Sequence, residues 1–250
     1  MSDLTLTPDL RYYLLAAAVV LGVGGSTVAT RLRQRWLVFH GVSFAVVYGV
    51  TLALAVACGA MAFGGAPLLL SPVTRWPVDV ALGIIVGWAG FAADRAINRR
   101  WRRRELGRRP SRPVGSRSEQ RVWRAMAAPA DVSTGEPSSM RDVLAIAVLE
   151  EAVFRGVLLR FALSTEATPL VAALLVAIIG VFALEHVHFG WSHVAGKLPY
   201  SAAVTVGAVG LGSSVMAIAA HVVLNLLIFR HLREVHRLAT RCIAPVRAPF

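Results

Sequence analysis

Long apolar segments with few charges constrain this chain more than any other feature. Only 16% of its 250 residues are charged, against about 25% in ordinary soluble domains. The charges are also segregated, which leaves several stretches close to the roughly 20 residues that a helix needs to cross a bilayer. A soluble domain of this length would need one core and not several such stretches. We therefore predict an all-α fold, a polytopic transmembrane helical bundle with about seven membrane helices.

The predicted membrane segments are seven apolar runs. They span residues 12–30, 36–63, 78–97, 140–163, 169–186, 199–211 and 213–229. The sixth run is short for a full crossing. Small residues recur within the runs, as close packing of helices in lipid favours: Gly22, Gly24, Gly25, Gly83, Gly87, Gly90, Gly207 and Gly210. Acidic Asp3 and Asp9 precede the first run and no basic segment does, so we expect a retained helix and not a cleaved signal.

The distribution of arginines predicts how these runs are oriented in the membrane. Arginine-rich segments follow the first, third and seventh runs, whereas residues 64–77 hold only Arg75 and residues 164–168 hold no basic residue. Lys197, the one lysine, falls in the loop predicted between the fifth and sixth runs. Basic loops thus alternate with neutral ones. The positive-inside rule then predicts an integral protein of the cell membrane with its N-terminus outside and its C-terminus in the cytoplasm.

The same pattern divides the chain into four parts. These are an N-terminal three-helix membrane region (1–98), a basic cytoplasmic linker (99–139), a helical core (140–230) and a basic cytoplasmic tail (231–250). Although Lys and Arg outnumber Asp and Glu by 26 to 14, the excess is explained by topology. We expect the linker to touch anionic lipid headgroups and expect no specific nucleic acid. The isolated residues Cys58, Cys242, His40, Asp79 and Asp94 are expected to be unpaired thiols or structural and interfacial groups.

Charged residues inside the fourth run are the first candidates for function. A charge within a membrane helix costs a few kcal/mol and usually marks a functional site. Glu151 and Arg155 are four residues apart, so they share a helix face and can form an ion pair. Glu150 lies about 100° around the helix, which leaves it free to face another helix. The alternative interpretation is a purely structural cluster of buried ion pairs.

Two histidines add to this set from other runs. His186 ends the fifth run, and His221 lies in the seventh run four residues before Asn225. A lone histidine in a membrane helix is more often a hydrogen-bonding group, but polar groups on three helices favour a shared site. Glu150 and His221 also lie at similar depths, about 15 and about 13 Å from the predicted cytoplasmic ends of their helices. His188 is an alternative to His186, and Glu185 either faces the cytoplasm or tunes His186.

In order along the chain, these residues form three motifs. They read Glu-Glu-x-x-x-Arg, Phe-x-x-x-His and His-x-x-x-Asn, and they fall within residues 140–229. The ordered set, with Gly156 and Gly212-Ser213, resembles the CPBP family. That family comprises CAAX-type prenyl endopeptidases and bacteriocin-processing or self-immunity proteins, and it is also called the ABI family.

The resemblance implies hydrolysis of a peptide bond of a membrane-associated peptide or protein. Its site residues would be Glu150, Glu151, Arg155, His186, His221 and Asn225. Glu150 would be the general base with His186 helping to hold it, His221 and Asn225 would stabilise the oxyanion, and Glu151 and Arg155 would orient the site. Family members have been described both as metalloproteases and as glutamate peptidases. A zinc ion on Glu150, His186 and His221 is therefore also compatible with the sequence.

Two other functions compete with an endopeptidase. One is a catalytically silent membrane scaffold or bacteriocin self-immunity protein of the same fold. The other is a small carrier, which would be expected to show inverted repeats and broken helices in both halves of the chain. The polar groups here lie only in the second half. Membrane lipids and a membrane-associated substrate are the expected partners.

Overall fold

The structure, a computed structural model, describes residues 7–32, 44–65, 69–106 and 140–243. These residues are helical and contain no strand. The α-helices are α1 (Pro8–Leu32), α2 (Phe44–Phe63), α3 (Trp76–Leu106), α4 (Met140–Glu151), α5 (Leu159–Leu163), α6 (Thr168–Leu184), α7 (Trp191–Leu211) and α8 (Val215–Ile243). A π-helical segment, Ala152–Leu158, joins α4 to α5 without a break. The described chain therefore forms seven continuous helices, which confirms the predicted all-α bundle.

Four helical stretches in the described ranges are long and apolar enough to cross a membrane. They are Val46–Phe63, Val73–Trp101, Trp191–Leu211 and Val215–Glu234, and α6 is a shorter apolar helix. Large apolar side chains such as Ile85, Val176 and Val206 are exposed on the outside of the bundle. Exposed apolar surface of this extent is expected where lipid and not water surrounds the helices. The chain is thus an integral membrane protein.

The sixth predicted run was wrong at its start. Helix α7 begins at Trp191 and not at Pro199, which lies inside the helix. Proline is common in the first turn of a helix, but membrane helices also tolerate it in their interior. Lys197, predicted to lie in a loop, is instead a buried residue of α7. It therefore contributes nothing to the alternation of basic and neutral loops.

Other helix ends also differ from the prediction. Helix α8 continues to Ile243 and so includes the first part of the predicted tail. Helix α6 ends at Leu184, so His186 lies in the turn that leads into a short 3-10 helix, Val187–Phe189. Helix α3 continues to Leu106, so the first arginines of the predicted linker extend its last turns. Arginine is a good helix former, and apolarity alone does not mark where such a helix ends. Residues 107–139 of the linker and His40 lie outside the described residues.

The helix comprising α4 and the π-helical segment lies at the centre of the bundle. It contacts α2 and α8, and the π-helical segment also contacts α1 and α6. Helix α3 packs against α7 and α8 on the far side. The α4 helix thus faces elements from both ends of the chain, and any polar group on it can meet partners from several helices.

Glycines allow the closest of these contacts. A Cβ atom on Gly83 or Gly87 would overlap the backbone of α8, and one on Gly90 would overlap the Tyr200 ring. A Cβ on Gly22 would likewise meet Val153 of the π-helical segment. The prediction that small residues mark close packing is confirmed at these positions. Among the described residues, no atom lies within 4 Å of a Cβ built on Gly24 or Gly210, so no close contact is seen at these two positions.

The contacts also fix the relative directions of the helices. Gly83 and Gly87 of α3 face Met216 and Ala220 of α8 in the same order, so α3 and α8 run parallel. Glu150 faces His221 whereas Arg155 faces Ser214, so α4 and α8 run antiparallel. The arginine-rich ends of α3 and α8 consequently lie on the same side of the bundle.

Candidate active site

The site contains a buried ion pair. Glu151 and Arg155 are both fully buried, and Arg155 Nη1 donates a hydrogen bond to Glu151 Oε1 over 3.2 Å. This confirms the ion pair that the four-residue spacing predicts. Arg155 lies within the π-helical segment, whose i→i+5 hydrogen bonds are rare and often occur at functional sites.

Arg155 also ties the segment to two neighbouring helices. Its Nη2 donates to the hydroxyl of Ser201 on α7 over 2.8 Å and to the Ser201 carbonyl over 3.2 Å. The hydroxyl of Ser214, at the start of α8, donates to the Arg155 carbonyl over 2.7 Å. The guanidinium also lies over the Phe182 ring, 4.3 Å from its centroid. Arg155 is therefore held rigidly, and with it the position of Glu151.

His221 lies between the two glutamates. Its Nδ1 is 2.9 Å from Glu151 Oε1, and its Nε2 is 3.5 Å from Glu150 Oε2. The Nδ1 contact lacks the geometry of a hydrogen bond, so the interaction is mainly electrostatic. Only 1% of the His221 side chain is exposed. Three groups predicted from two separate motifs thus meet at one place within the bundle.

Tyr48 of α2 joins this group and was not predicted. Its hydroxyl donates a hydrogen bond to Glu150 Oε1 over 2.8 Å. Both residues are buried. Tyr48 lies in an apolar run where an aromatic residue is unremarkable, and no motif connects it with a residue 102 positions later. Only its buried hydroxyl, which needs a partner, could have pointed to it.

Lys197 of α7 is a further buried ionisable residue near the site. The ammonium of Lys197 interacts electrostatically with the carboxylates of Asp94 on α3 and of Glu150. Asp94 packs tightly on α7, because a Cβ on Gly196 would overlap its Oδ1. Asp79, the other acid expected to be structural, accepts a 2.6 Å hydrogen bond from Ser71. Lys197 is the larger surprise, since it places a cation beside the glutamate that the motif predicts as base.

His186 lies near this centre, across a phenylalanine. The Phe182 ring is 5.4 Å from the His186 ring and 5.5 Å from the His221 ring, measured between centroids. The Nδ1 of His186 is 3.0 Å from the Phe182 carbonyl oxygen. The carboxylate of Glu185, which precedes it, acts electrostatically on Tyr48, so Glu185 lies close enough to influence the site. The side chain of His188 lies outside what the structure describes.

Asn225 lies one turn beyond His221 on α8. Its side chain is half-buried, and within the described ranges no hydrogen bond to its amide is found. The structure brings together Glu150, Glu151, Arg155 and His221. It places Asn225 on the adjoining turn of α8 and His186 on the turn between α6 and α7.

The predicted ligands of a zinc ion are Glu150, His186 and His221. Among the described residues, no three His, Cys, Asp or Glu side chains are grouped as ligands of a metal ion. His186 contacts Phe182 and Phe189, while Glu150 and His221 contact each other. As placed in the structure, these three side chains do not form a three-ligand zinc site.

These observations define a class of protein, a helical integral membrane protein in which glutamate, histidine and arginine side chains meet inside the helical bundle. Residues 137–227 match the family model described as Type II CAAX prenyl endopeptidase Rce1-like. This match confirms the predicted resemblance to the CPBP family of intramembrane peptidases over these residues. No curated protein and no solved structure matches the chain. The family supports a CAAX-type intramembrane protease in general terms.

Proposed function

We propose that this protein is an intramembrane endopeptidase that cleaves a membrane-associated peptide with a water molecule activated by Glu150. The observation that carries the proposal is the contrast between the two adjacent glutamates. Glu151 is neutralised by Arg155 at 3.2 Å. Glu150 has a tyrosine hydroxyl on one oxygen and a histidine nitrogen 3.5 Å from the other.

The reaction follows from these roles. Glu150 Oε2 accepts a proton from water, and the water oxygen attacks the carbonyl carbon of the scissile bond. His221 stabilises the negative charge that develops on the carbonyl oxygen, because a fixed donor in a buried site acts strongly on developing charge. When the carbon–nitrogen bond breaks, the proton held by Glu150 passes to the leaving amine. Glu151 and Arg155 hold the His221 ring in place throughout.

The remaining predicted residues take supporting roles. Asn225 stabilises the same oxyanion as His221 once substrate is bound, which its position one turn away on α8 allows. His186 lies on the turn between α6 and α7, where it helps to orient the attacking water. Both roles are part of the proposal.

The experiment compares wild-type protein with the Glu150→Gln variant in lipid vesicles. A fluorescent peptide ending in a CAAX sequence serves as substrate, with and without a prenyl group, because the matched family model describes prenyl endopeptidases. We expect the rate to fall at least about 100-fold in the variant, since loss of a general base costs roughly 10² to 10⁴. Glu166→Gln is the matched control, since Glu166 is exposed on the turn before α6.

Two results would contradict the proposal. Cleavage that persists in the Glu150→Gln variant would remove Glu150 as the base. A wild-type protein that binds these peptides but cleaves neither would favour the catalytically silent scaffold instead.

A further inference from the structure

Tyr48 lies outside the part of the chain that matches the family model. It belongs to α2, whereas the match covers residues 137–227. Only 4% of its surface is exposed. Its ring is confined by α1, because a Cβ on Gly25 would lie 3.3 Å from the ring atom Cε2. The N-terminal helix pair therefore presents one polar group to the site, and holds it tightly.

The hydrogen bond from Tyr48 distinguishes the two oxygens of Glu150. The hydroxyl donates to Oε1 over 2.8 Å, while Oε2 lies 3.5 Å from His221 Nε2. A carboxylate on a helix can rotate about its terminal bond over a broad range. A donor on one oxygen and an imidazole beside the other restrict that rotation to a single orientation.

We propose that Tyr48 is a positioning residue that holds Glu150 Oε1, so that Oε2 is the oxygen that receives the proton from water. This inference rests on the proposed peptidase function. It also assigns α1 and α2 a role in the reaction, since they deliver the group that orients the base. The site is then incomplete without the N-terminal helices.

A purely structural role for Tyr48 makes different predictions. A buried hydroxyl needs a partner in any case, and Glu150 could serve as one without consequence for catalysis. Replacement by phenylalanine removes the hydroxyl and keeps the ring, so packing is preserved. Under a structural role the variant would lose some stability and keep its turnover.

The kinetic experiment measures kcat and KM for wild type and Tyr48→Phe on the same vesicle-bound peptide. A hydrogen bond to a charged group contributes enough to expect a fall in kcat of roughly 10- to 100-fold, with KM within about twofold. Tyr13→Phe is the control, because Tyr13 is 73% exposed on α1, and it should keep the wild-type kcat. An unchanged kcat in Tyr48→Phe would overturn the proposal.

A second measurement does not depend on cleavage. Dicyclohexylcarbodiimide, an apolar reagent, modifies carboxyl groups inside membrane proteins, and mass spectrometry of peptide fragments locates the modified residue. Glu150 should be modified several-fold faster in Tyr48→Phe than in wild type, because the oxygen held by the hydroxyl becomes free to react. Tyr13→Phe should match wild type, and Glu150→Gln should show no label at this position.

The two measurements separate the two proposals. Faster labelling in Tyr48→Phe, combined with a wild type that cleaves no peptide, would overturn the peptidase function. It would still support the positioning of Glu150 by Tyr48. An unchanged labelling rate would contradict the proposal that Tyr48 positions Glu150, whatever the cleavage assay shows.

Discussion

At the scale of single residues, the site depends on how completely its charges are paired. Arg155 is fully buried and donates to Glu151, to the Ser201 hydroxyl and to the Ser201 carbonyl. A buried ion pair adds little net stability compared with an apolar pair, but removing one partner leaves an uncompensated charge. Arg155 is therefore costly to lose even though its pair with Glu151 is not a large source of stability.

We expect Arg155→Met to lower the free energy of unfolding by about 3–5 kcal/mol, because Glu151 then remains buried without its cation. The same substitution at Arg141, exposed at the start of α4, should cost less than about 1 kcal/mol. Denaturant unfolding in detergent micelles measures both. Equal losses for the two variants would show that Arg155 is not held as described.

The Glu151–Arg155 ion pair could be predicted from the sequence, whereas the contact between Tyr48 and Glu150 could not. Glu151 and Arg155 lie on one helix, where a spacing of four fixes their distance. Tyr48 and Glu150 meet only because α2 packs against α4, and that contact is tertiary. Lys197 was misplaced because Pro199 resembled a helix start, although α7 begins at Trp191.

At the scale of helices, glycine decides which surfaces can touch. Gly87 of α3 lies against the Ala220 carbonyl and the Val223 side chain of α8. A backbone carbonyl cannot move aside as a flexible side chain can. The α3–α8 contact therefore depends on the missing side chain, and this contact helps to position α8, whose other side carries His221.

We expect Gly87→Ala to destabilise the protein by about 1–3 kcal/mol, the usual cost of forcing extra atoms into a packed core. Gly180→Ala on α6 is the matched control, because no atom of the described part of the chain lies within 4 Å of a Cβ built there. Alanine favours a helix over glycine by about 1 kcal/mol, so the control should be neutral or stabilising. Thermal unfolding of the two variants in the same micelles tests the contrast, and a stabilised Gly87→Ala would contradict it.

Element boundaries were less predictable than the elements themselves. All seven helices were expected from apolar runs, since a run of that length has few alternatives in lipid. The C-terminal ends of α3 and α8 differed because polar residues such as arginine can continue a helix beyond the apolar stretch. Helix α7 began earlier than predicted because Pro199 lies inside it. The π-helical segment Ala152–Leu158 has no counterpart in apolar periodicity and was not foreseen.

At the scale of the whole molecule, helix direction and charge agree. Helices α3 and α8 run parallel, and the exposed Arg103 and Arg233 lie near their C-terminal ends. We propose that this side faces the cytoplasm, as the positive-inside rule favours. The turn between α5 and α6 would then face outward.

This orientation predicts the reactivity of single cysteines in a Cys58→Ala/Cys242→Ala background. A membrane-impermeant maleimide should label Ser164→Cys, on the α5–α6 turn, in intact cells. Arg103→Cys, on the last turns of α3, should react only after the membrane is opened. The reverse pattern would invert the proposed topology and leave the site geometry unaffected.

The proposed mechanism requires that groups distant in sequence act as one reactive unit, and a double-mutant comparison of cleavage rates tests this most directly. Residues that act as a unit give strongly non-additive losses. We predict that Glu150→Gln and His221→Gln each reduce kcat at least about 100-fold. The double variant should then be no more than about threefold slower than the worse single variant. Losses that multiply, or a wild-type rate in either single variant, would contradict the claim that α4 and α8 form one active site.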